Sequence, residues 1–353
     1  MIPTPLTSGF HMPAEWEKHT ATWLAWPYDE ITFPNGRVKK VEKIYVEIIK
    51  HLHESEDVEL LVRNEKMKER VIKMLTAAKI NLAKVTLHIT EYADVWIRDY
   101  GPTFITNPTI HELAWIKWQY NAYGNKFPDL LKDNEVFLKL RRDLDKRMFE
   151  PEIFMEGGAI EVNGQGLVLT TEQCLLNKNR NAGMLKETME KNLKNFLGAK
   201  KVIWLQKGLI NDHTDGHIDE LARFVGPSKI LCAYEENESE ENFEILNNNY
   251  QTLIKATDNF NSPFEVVKLP IPHLVYDSLK PFEANEKVPA SYTNFYVGNE
   301  VVLASVFKDV NDQRALEIIQ SCFPDRKVVP IDCSDIIYGG GGVHCMTQQM
   351  PKV

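Results

Sequence analysis

Gly339-Gly340-Gly341-Gly342-Val343-His344-Cys345-Met346-Thr347-Gln348-Gln349 places a thiol just after a four-glycine run. Glycine lacks a Cβ, so such a run takes positive φ and lets backbone approach a ligand closely. The β-like residues that follow predict a strand with Cys345 at its start. A free cysteine is ordinarily a small buried hydrophobe. The glycines, His344 and Gln348-Gln349 around this one favour a nucleophile. Alternation along a strand turns His344 away from Cys345, so the base has to come from elsewhere in the chain.

The richest source is Asn211-Asp212-His213-Thr214-Asp215-Gly216-His217-Ile218-Asp219-Glu220-Leu221-Ala222-Arg223-Phe224. His and Asp are zinc ligands, and His213 and His217 have the spacing of one helix face. Gly216 interrupts that helix, however, and Ile218, Leu221 and Phe224 fit a strand leaving a turn. A strand over 218–224 puts His217 and Asp219 on one face, as a general base beside a substrate-binding carboxylate. A second acid stands in Met155-Glu156-Gly157-Gly158, ahead of Asn163-Gly164, a strong hairpin signal. A third cluster is Asp94-Val95-Trp96-Ile97-Arg98-Asp99-Tyr100-Gly101-Pro102. It reads either as a surface turn with an Asp–Arg pair or as a strand end that aims Asp99 into a pocket walled by Trp96. Cys174, in a polar loop without a nearby base, reads as structural.

The chain has 353 residues, 43% hydrophobic and 26% charged, with seven Trp, 16 Phe and 12 Tyr. This describes a globular protein with ample apolar surface for a core. No apolar run approaches the ~18 residues of a membrane span, and Met1-Ile2-Pro3-Thr4-Pro5 does not resemble a signal peptide. Five unpaired-looking cysteines suit a reducing compartment, so a cytoplasmic location is expected. A net charge of −9 disfavours nucleic acid and favours cationic ligands.

Helical periodicity predicts helices over 38–53, 65–78, 129–146, 182–197, 241–258 and 312–321. Strands are expected over 57–63, 85–89, 112–118, 159–162, 167–170, 201–205, 218–224, 229–233, 265–269, 292–297, 300–304 and 326–331. Strand pair, helix and further strand recur in units of about 60–70 residues, which points to an α/β fold of similar modules in a closed arrangement. No linker or low-complexity segment divides the chain, so residues 1–353 are expected to form one catalytic domain.

If Cys345, His217, Glu156, Asp99 and Asp219 converge, three carboxylates surround a thiol and disfavour its thiolate. That arrangement makes sense with a cationic substrate. A guanidinium is a planar fork of five N–H donors that carboxylates grip in bidentate fashion. Two acids on its edges would hold its central carbon over the sulfur. Attack gives a covalent thiouronium as His217 protonates departing ammonia; water activated by His217 then releases a ureido product. Glu156 would orient His217. No metal or organic cofactor is required.

At these residues the chain resembles the agmatine deiminases, in the guanidine-modifying (pentein) superfamily and close to the bacterial peptidylarginine deiminase type. The resemblance rests on Met12-Pro13-Ala14-Glu15-Trp16, Trp96-Ile97-Arg98-Asp99-Tyr100-Gly101-Pro102, Glu156-Gly157-Gly158, Asn177-Lys178-Asn179-Arg180-Asn181, Asp215-Gly216-His217-Ile218-Asp219 and His344-Cys345-Met346-Thr347-Gln348-Gln349. It implies a five-module α/β propeller with pseudo-five-fold symmetry and a central active site. It implies Cys345 as nucleophile, His217 as acid/base, Glu156 as its partner, and Asp99 and Asp219 on the guanidinium. Trp96, Asp94 and Gly342 are further substrate-facing positions, with Trp26 a candidate for the mouth. The implied reaction is agmatine plus water giving N-carbamoylputrescine and ammonia, in polyamine synthesis, by a homodimer or higher oligomer. Peptidylarginine deimination and amidinotransfer are the neighbouring chemistries; a non-catalytic binding propeller is the alternative outside enzymes. The family usually carries Asn at the position of Gly342, so a more mobile loop and a lost contact are expected there.

Overall fold

The computed structural model describes residues 3–276 and 286–353. Its described residues contain five small sheets. The first has four strands, in spatial order Gln348–Pro351, His19–Ala25, Asp57–Val62, Val85–Ile89. Gln348–Pro351 runs antiparallel to His19–Ala25, and the other two pairings are parallel. The other four sheets have three strands each and share one plan. An antiparallel pair is followed by a third strand parallel to the second: Thr103–Asn107, Glu112–Ile116, Arg147–Phe149; Glu161–Val162, Leu167–Thr171, Lys201–Leu205; Ala222–Gly226, Lys229–Tyr234, Glu265–Pro270; Tyr296–Val297, Val301–Val306, Lys327–Asp332.

Parallel neighbours need a crossover, and a helix supplies it in most modules. Val38–Leu52 lies between the first two parallel strands and buries Val41, Tyr45, Ile48, Ile49 and Leu52 on one face. Glu65–Ala77 starts on Asn64, whose side chain accepts the Met67 N–H at 2.9 Å, as N-cap residues do. Lys186–Leu197, Phe243–Lys255 and Asp312–Cys322 complete the set, with Gly198 in the left-handed region stopping the first. No helix among the described residues is long and apolar enough to cross a membrane.

The expected helix over 129–146 is broken into Pro128–Glu135, Val136–Lys139 and Arg141–Leu144. Tertiary polar contacts override the periodicity here. The buried Asp133 carboxylate accepts the backbone N–H groups of Ala93 and Asp94, and Asn134 accepts from Lys117 Nζ. The Asn163-Gly164 hairpin forms as expected between Glu161–Val162 and Leu167–Thr171. The strands Thr103–Asn107 and Arg147–Phe149 were not anticipated. The strand expected at 292–297 shrinks to Tyr296–Val297, because the Ser291, Thr293 and Asn294 side chains bond locally and across to 219–220.

Candidate active site

Cys345 stands in a single 3-10 turn, His344–Met346, three residues before its strand. The strand-start expectation is therefore corrected. Val343 is already helical, and Asn294 Oδ1 accepts the His344 N–H at 2.9 Å, which turns the chain. The pairing of Gln348–Pro351 with His19–Ala25 anchors the turn from the other side.

His217 likewise does not lie on a strand. It is extended and precedes a one-turn 3-10 helix, Ile218–Glu220; the strand begins at Ala222. Thr214 Oγ1 accepts the His217 N–H at 3.2 Å and is itself tied to the Asp212 carboxylate. The turn still aims His217 and Asp219 at one place. Asp99 sits in a four-residue helical turn, Ile97–Tyr100, rather than at a strand end, and the segment is buried rather than a surface turn. Gly101-Pro102 ends that turn because proline disfavours helix in the preceding residue.

Gly158 marks the point of convergence. A Cβ there would come within 2.6 Å of His217 Nδ1, 2.9 Å of Asp99 Oδ1 and 3.0 Å of Asp219 Oδ2. Asp99 Oδ1 accepts the Gly158 N–H at 3.0 Å, and Asp99 Oδ2 accepts from Tyr123 Oη at 2.8 Å. His217 Nδ1 lies 3.7 Å from Asp99 Oδ1, and Nε2 lies 3.9 Å from Glu156 Oε2. Glu156 is fixed by its other oxygen, which accepts from Arg180 Nε at 2.8 Å. Cys345 Sγ is 3.7 Å from Asp219 Oδ2 and 3.9 Å from Glu220 Oε1. Asp219 Oδ2 also receives His344 Nδ1 at 2.7 Å, leaving Oδ1 buried with no hydrogen-bond partner.

Burial and charge set these groups against each other. Burial, then the Asp219, Glu220 and Asp99 carboxylates, push the Cys345 thiol well up; the Gly342 N–H acts the other way. Burial raises Asp99 to about 6, against the pull of His217. Burial would also raise Asp219 and Glu156. The hydrogen bond and charge of His344 hold Asp219 below its usual range, and His217 and Arg180 do the same for Glu156. Burial opposes the charged form of His217, yet Asp99, Cys174 and Glu156 raise it well above the usual imidazole range. The resting site is thus a thiol beside an imidazolium and acids.

Trp96 borders the same space: a Cβ on Gly341 would lie 2.8 Å from Trp96 Cζ3 and 3.0 Å from Cys345 Sγ. The Asp94 carboxylate is engaged locally, accepting from Thr32 Oγ1 at 2.7 Å and its own neighbour's N–H at 2.8 Å. Trp26 is fully buried and donates to Glu42 at 2.9 Å, so it belongs to the core and not to a mouth. Arg98 and Arg180 are both committed to the protein, Arg98 to Gln349 and the His344 carbonyl, Arg180 to Glu156 and Asp215.

Several residues at the site were not anticipated as such. Tyr123, Asn294 and Glu220 contact Asp99 or Cys345, and Glu15 holds the far nitrogen of His344 at 2.8 Å. Cys174, expected to lack a base, lies with His217 and Glu156 in a buried trio whose donor atoms are all within 4.8 Å of one another. Asp219, Glu220 and Cys345 form a second such trio. These are the donor sets that could hold a divalent ion. His213 is in neither, and packs edge-on against Tyr123 and Phe127.

The model of the Porphyromonas-type peptidyl-arginine deiminase family matches residues 11–351. The chain belongs to that family. It is 35% identical over 353 residues to a Legionella pneumophila (strain Paris) protein assigned as an agmatine deiminase, covering 100% of this chain and 98% of that one. The solved agmatine deiminase of Enterococcus faecalis superposes with a TM-score of 0.89 at 31% identity, covering 100% of this chain and 99% of the other. A cysteine-to-serine variant of the C. jejuni agmatine deiminase, solved with substrate bound, gives a TM-score of 0.85 at 29% identity and covers 97% and 96% of the two chains. The mixed α/β fold with several small sheets is therefore that of the agmatine deiminase structures.

Proposed function

We propose that this member of the family is an agmatine deiminase, converting agmatine and water to N-carbamoylputrescine and ammonia. The observation that carries the reading is the convergence on Gly158 of Asp99, His217 and Asp219, with the Cys345 sulfur 3.7 Å from Asp219. Asp219 Oδ1, buried and unpartnered, offers an acceptor that a guanidinium N–H would satisfy; leaving it empty is costly.

Asp99 and Asp219 grip the guanidinium edges. Its positive charge offsets the acids that keep the thiol protonated, so substrate binding favours loss of the thiol proton to solvent and leaves the thiolate. Sulfur adds to the guanidinium carbon to give a tetrahedral adduct. His217, as imidazolium, donates its proton to the departing nitrogen, and ammonia leaves a covalent thiouronium. Neutral His217 then takes a proton from water as the oxygen adds to the same carbon. Collapse expels the Cys345 thiolate, the remaining hydroxyl proton passes to that sulfur, and the neutral ureido product leaves with the thiol restored. Glu156, braced by Arg180, keeps the imidazolium in place. Trp96 walls the space beside the sulfur.

The five sheets of like plan are read as the five modules of a propeller closing around this site, in a single catalytic domain over the whole chain. Five free cysteines fit a cytoplasmic setting and a role in polyamine synthesis. Agmatine is preferred over arginine because Arg98, Arg180 and Arg223, the three arginines of the site motifs, are spent on protein acids and cannot receive a carboxylate. The test is incubation with agmatine, free arginine and an arginyl peptide, scoring ureido product and ammonia. Turnover of agmatine alone is expected. Preference for the peptide would replace the substrate assignment, and inertness toward all three would sink the enzyme reading.

A further inference from the structure

Gly342 and Asn294 explain one another. A Cβ at 342 would lie 2.7 Å from Asn294 Oδ1 and 2.7 Å from Ser305 Oγ, closer than real Cβ contacts allow. The 342 position is therefore not a loosened loop with a missing contact, as the sequence suggested. It is closely packed, and the side chain packed against it is an asparagine from a different module.

That asparagine is fully used. Asn294 is 1% exposed. Its Oδ1 accepts the His344 N–H at 2.9 Å and the Cys345 N–H at 3.4 Å. With Oδ1 pinned, Nδ2 faces the other way, toward Cys345 Sγ at 3.1 Å and Glu220 Oε1 at 2.7 Å. One amide group has two N–H bonds, and these are its two acceptors. Among the described residues, Glu220 Oε2 is buried with no hydrogen-bond partner, so Glu220 is held at the site by its bond to Asn294 and not by a cation of its own. The reaction sequence proposed above uses neither residue.

We propose that Asn294 is a positioning residue for the Cys345 sulfur: its N–H, aimed by Glu220 and the His344 amide, stabilises the thiolate, and Gly342 is glycine to let that amide in. The inference rests on Cys345 as nucleophile. Two donors then face the sulfur, the Gly342 N–H and the Asn294 amide, against the acids that disfavour its charge. The titratable groups around the sulfur are Asp99, Tyr123, Asp219, Glu220 and the His217 imidazole that shares the site with Asp99 and Asp219, and Asn294 is the neutral amide among them.

The test reads the sulfur directly, without agmatine. The rate of Cys345 alkylation by iodoacetamide, followed by peptide mass spectrometry, is measured against pH. Losing one donor to a charged acceptor should shift the midpoint of Asn294→Ala upward by about one pH unit, or about tenfold in rate at fixed lower pH. Glu220→Gln and Glu220→Leu both remove a carboxylate that disfavours the thiolate, but only Gln keeps an oxygen to aim the amide, so the Leu midpoint should lie above the Gln midpoint. With agmatine, kcat should fall while KM changes little. If Asn294→Ala does not fold, the isosteric Asn294→Asp is expected to shift the midpoint further upward. An unshifted midpoint in a folded Asn294 variant overturns the proposal. Failure of the native protein to turn over agmatine, with the shift intact, would overturn the substrate assignment and leave this inference standing.

Discussion

Cys345 and Asp99 both act deprotonated, yet the charge of Asp99 disfavours that of the sulfur, and each gives a prediction. Replacing Cys345 by Ser or Ala should lower turnover by at least about 10⁴-fold, as loss of a nucleophile does, with an unchanged circular dichroism spectrum. Retained activity would end the mechanism. Asp99 must be ionised to hold a guanidinium, but burial raises it to about 6. Its folded value lies above its unfolded one, so its contribution to stability is fully present below the unfolded value and lost as pH rises through about 6. Binding runs the other way: kcat/KM for agmatine should fall on acidification below about 6. Tyr123→Phe removes the donor to Asp99 Oδ2 and should move that limb up by about one unit, since a hydrogen bond to a charged group is worth about 1.5–3 kcal/mol. An unmoved limb would assign the acid titration to another group. The three acids, the base and the thiol could be picked out of the sequence because each stands in a motif beside glycine. Tyr123 and Asn294 could not. Tyr123 lies in an irregular loop with positive φ, and Asn294 follows Ser291 and Thr293 in a strand-like stretch, with nothing local to mark its partner 51 positions away.

At the scale of elements, strands and helices followed from periodicity, but the segments that carry the chemistry did not. Asp99 and Cys345 stand in single turns of four residues or fewer, and His217 immediately precedes another. These turns bury every one of their residues, apolar and polar alike, so in sequence they are hard to tell from a short buried strand. What separates them is side-chain capping from remote residues, such as Asn294 on the His344 amide, and that is a tertiary fact. The turn at Gly157–Ala159 gives the clearest test. Gly158→Ala puts a methyl among His217, Asp99 and Asp219. Overpacking of this kind costs about 1–3 kcal/mol, and a shift of about 1 Å in the acids should reduce kcat/KM by about 10²-fold. Thermal melts and steady-state kinetics read both effects; a fully active Gly158→Ala would mean that the acids do not meet there.

For the whole molecule, the recurrent antiparallel pair, helix and parallel strand was legible as a repeat, whereas the four-stranded first sheet was not. Its extra strand comes from the other end of the chain, and nothing in Gln348-Gln349-Met350-Pro351 marks His19–Ala25 as its partner. A chain ending after Met346 separates the thiol from its anchor. It keeps Cys345 but loses the pairing with His19–Ala25, and is expected to melt earlier and to lose turnover. Wild-type kinetics from that chain would show that the strand plays no part in holding the nucleophile.

That pairing also sets an order in time. His19 and Pro351 are 332 residues apart (351 − 19). At about 5–20 residues per second, a newly made His19–Ala25 waits roughly 15–70 s for its antiparallel neighbour. During that interval one edge of a strand with six of its seven residues buried in the finished molecule is open to any other extended chain, the circumstance in which edges aggregate. Synthesis of this enzyme is therefore most hazardous just before it becomes active, and a holdase that covers the first strand until the last emerges should raise its yield more than one that acts on the completed chain.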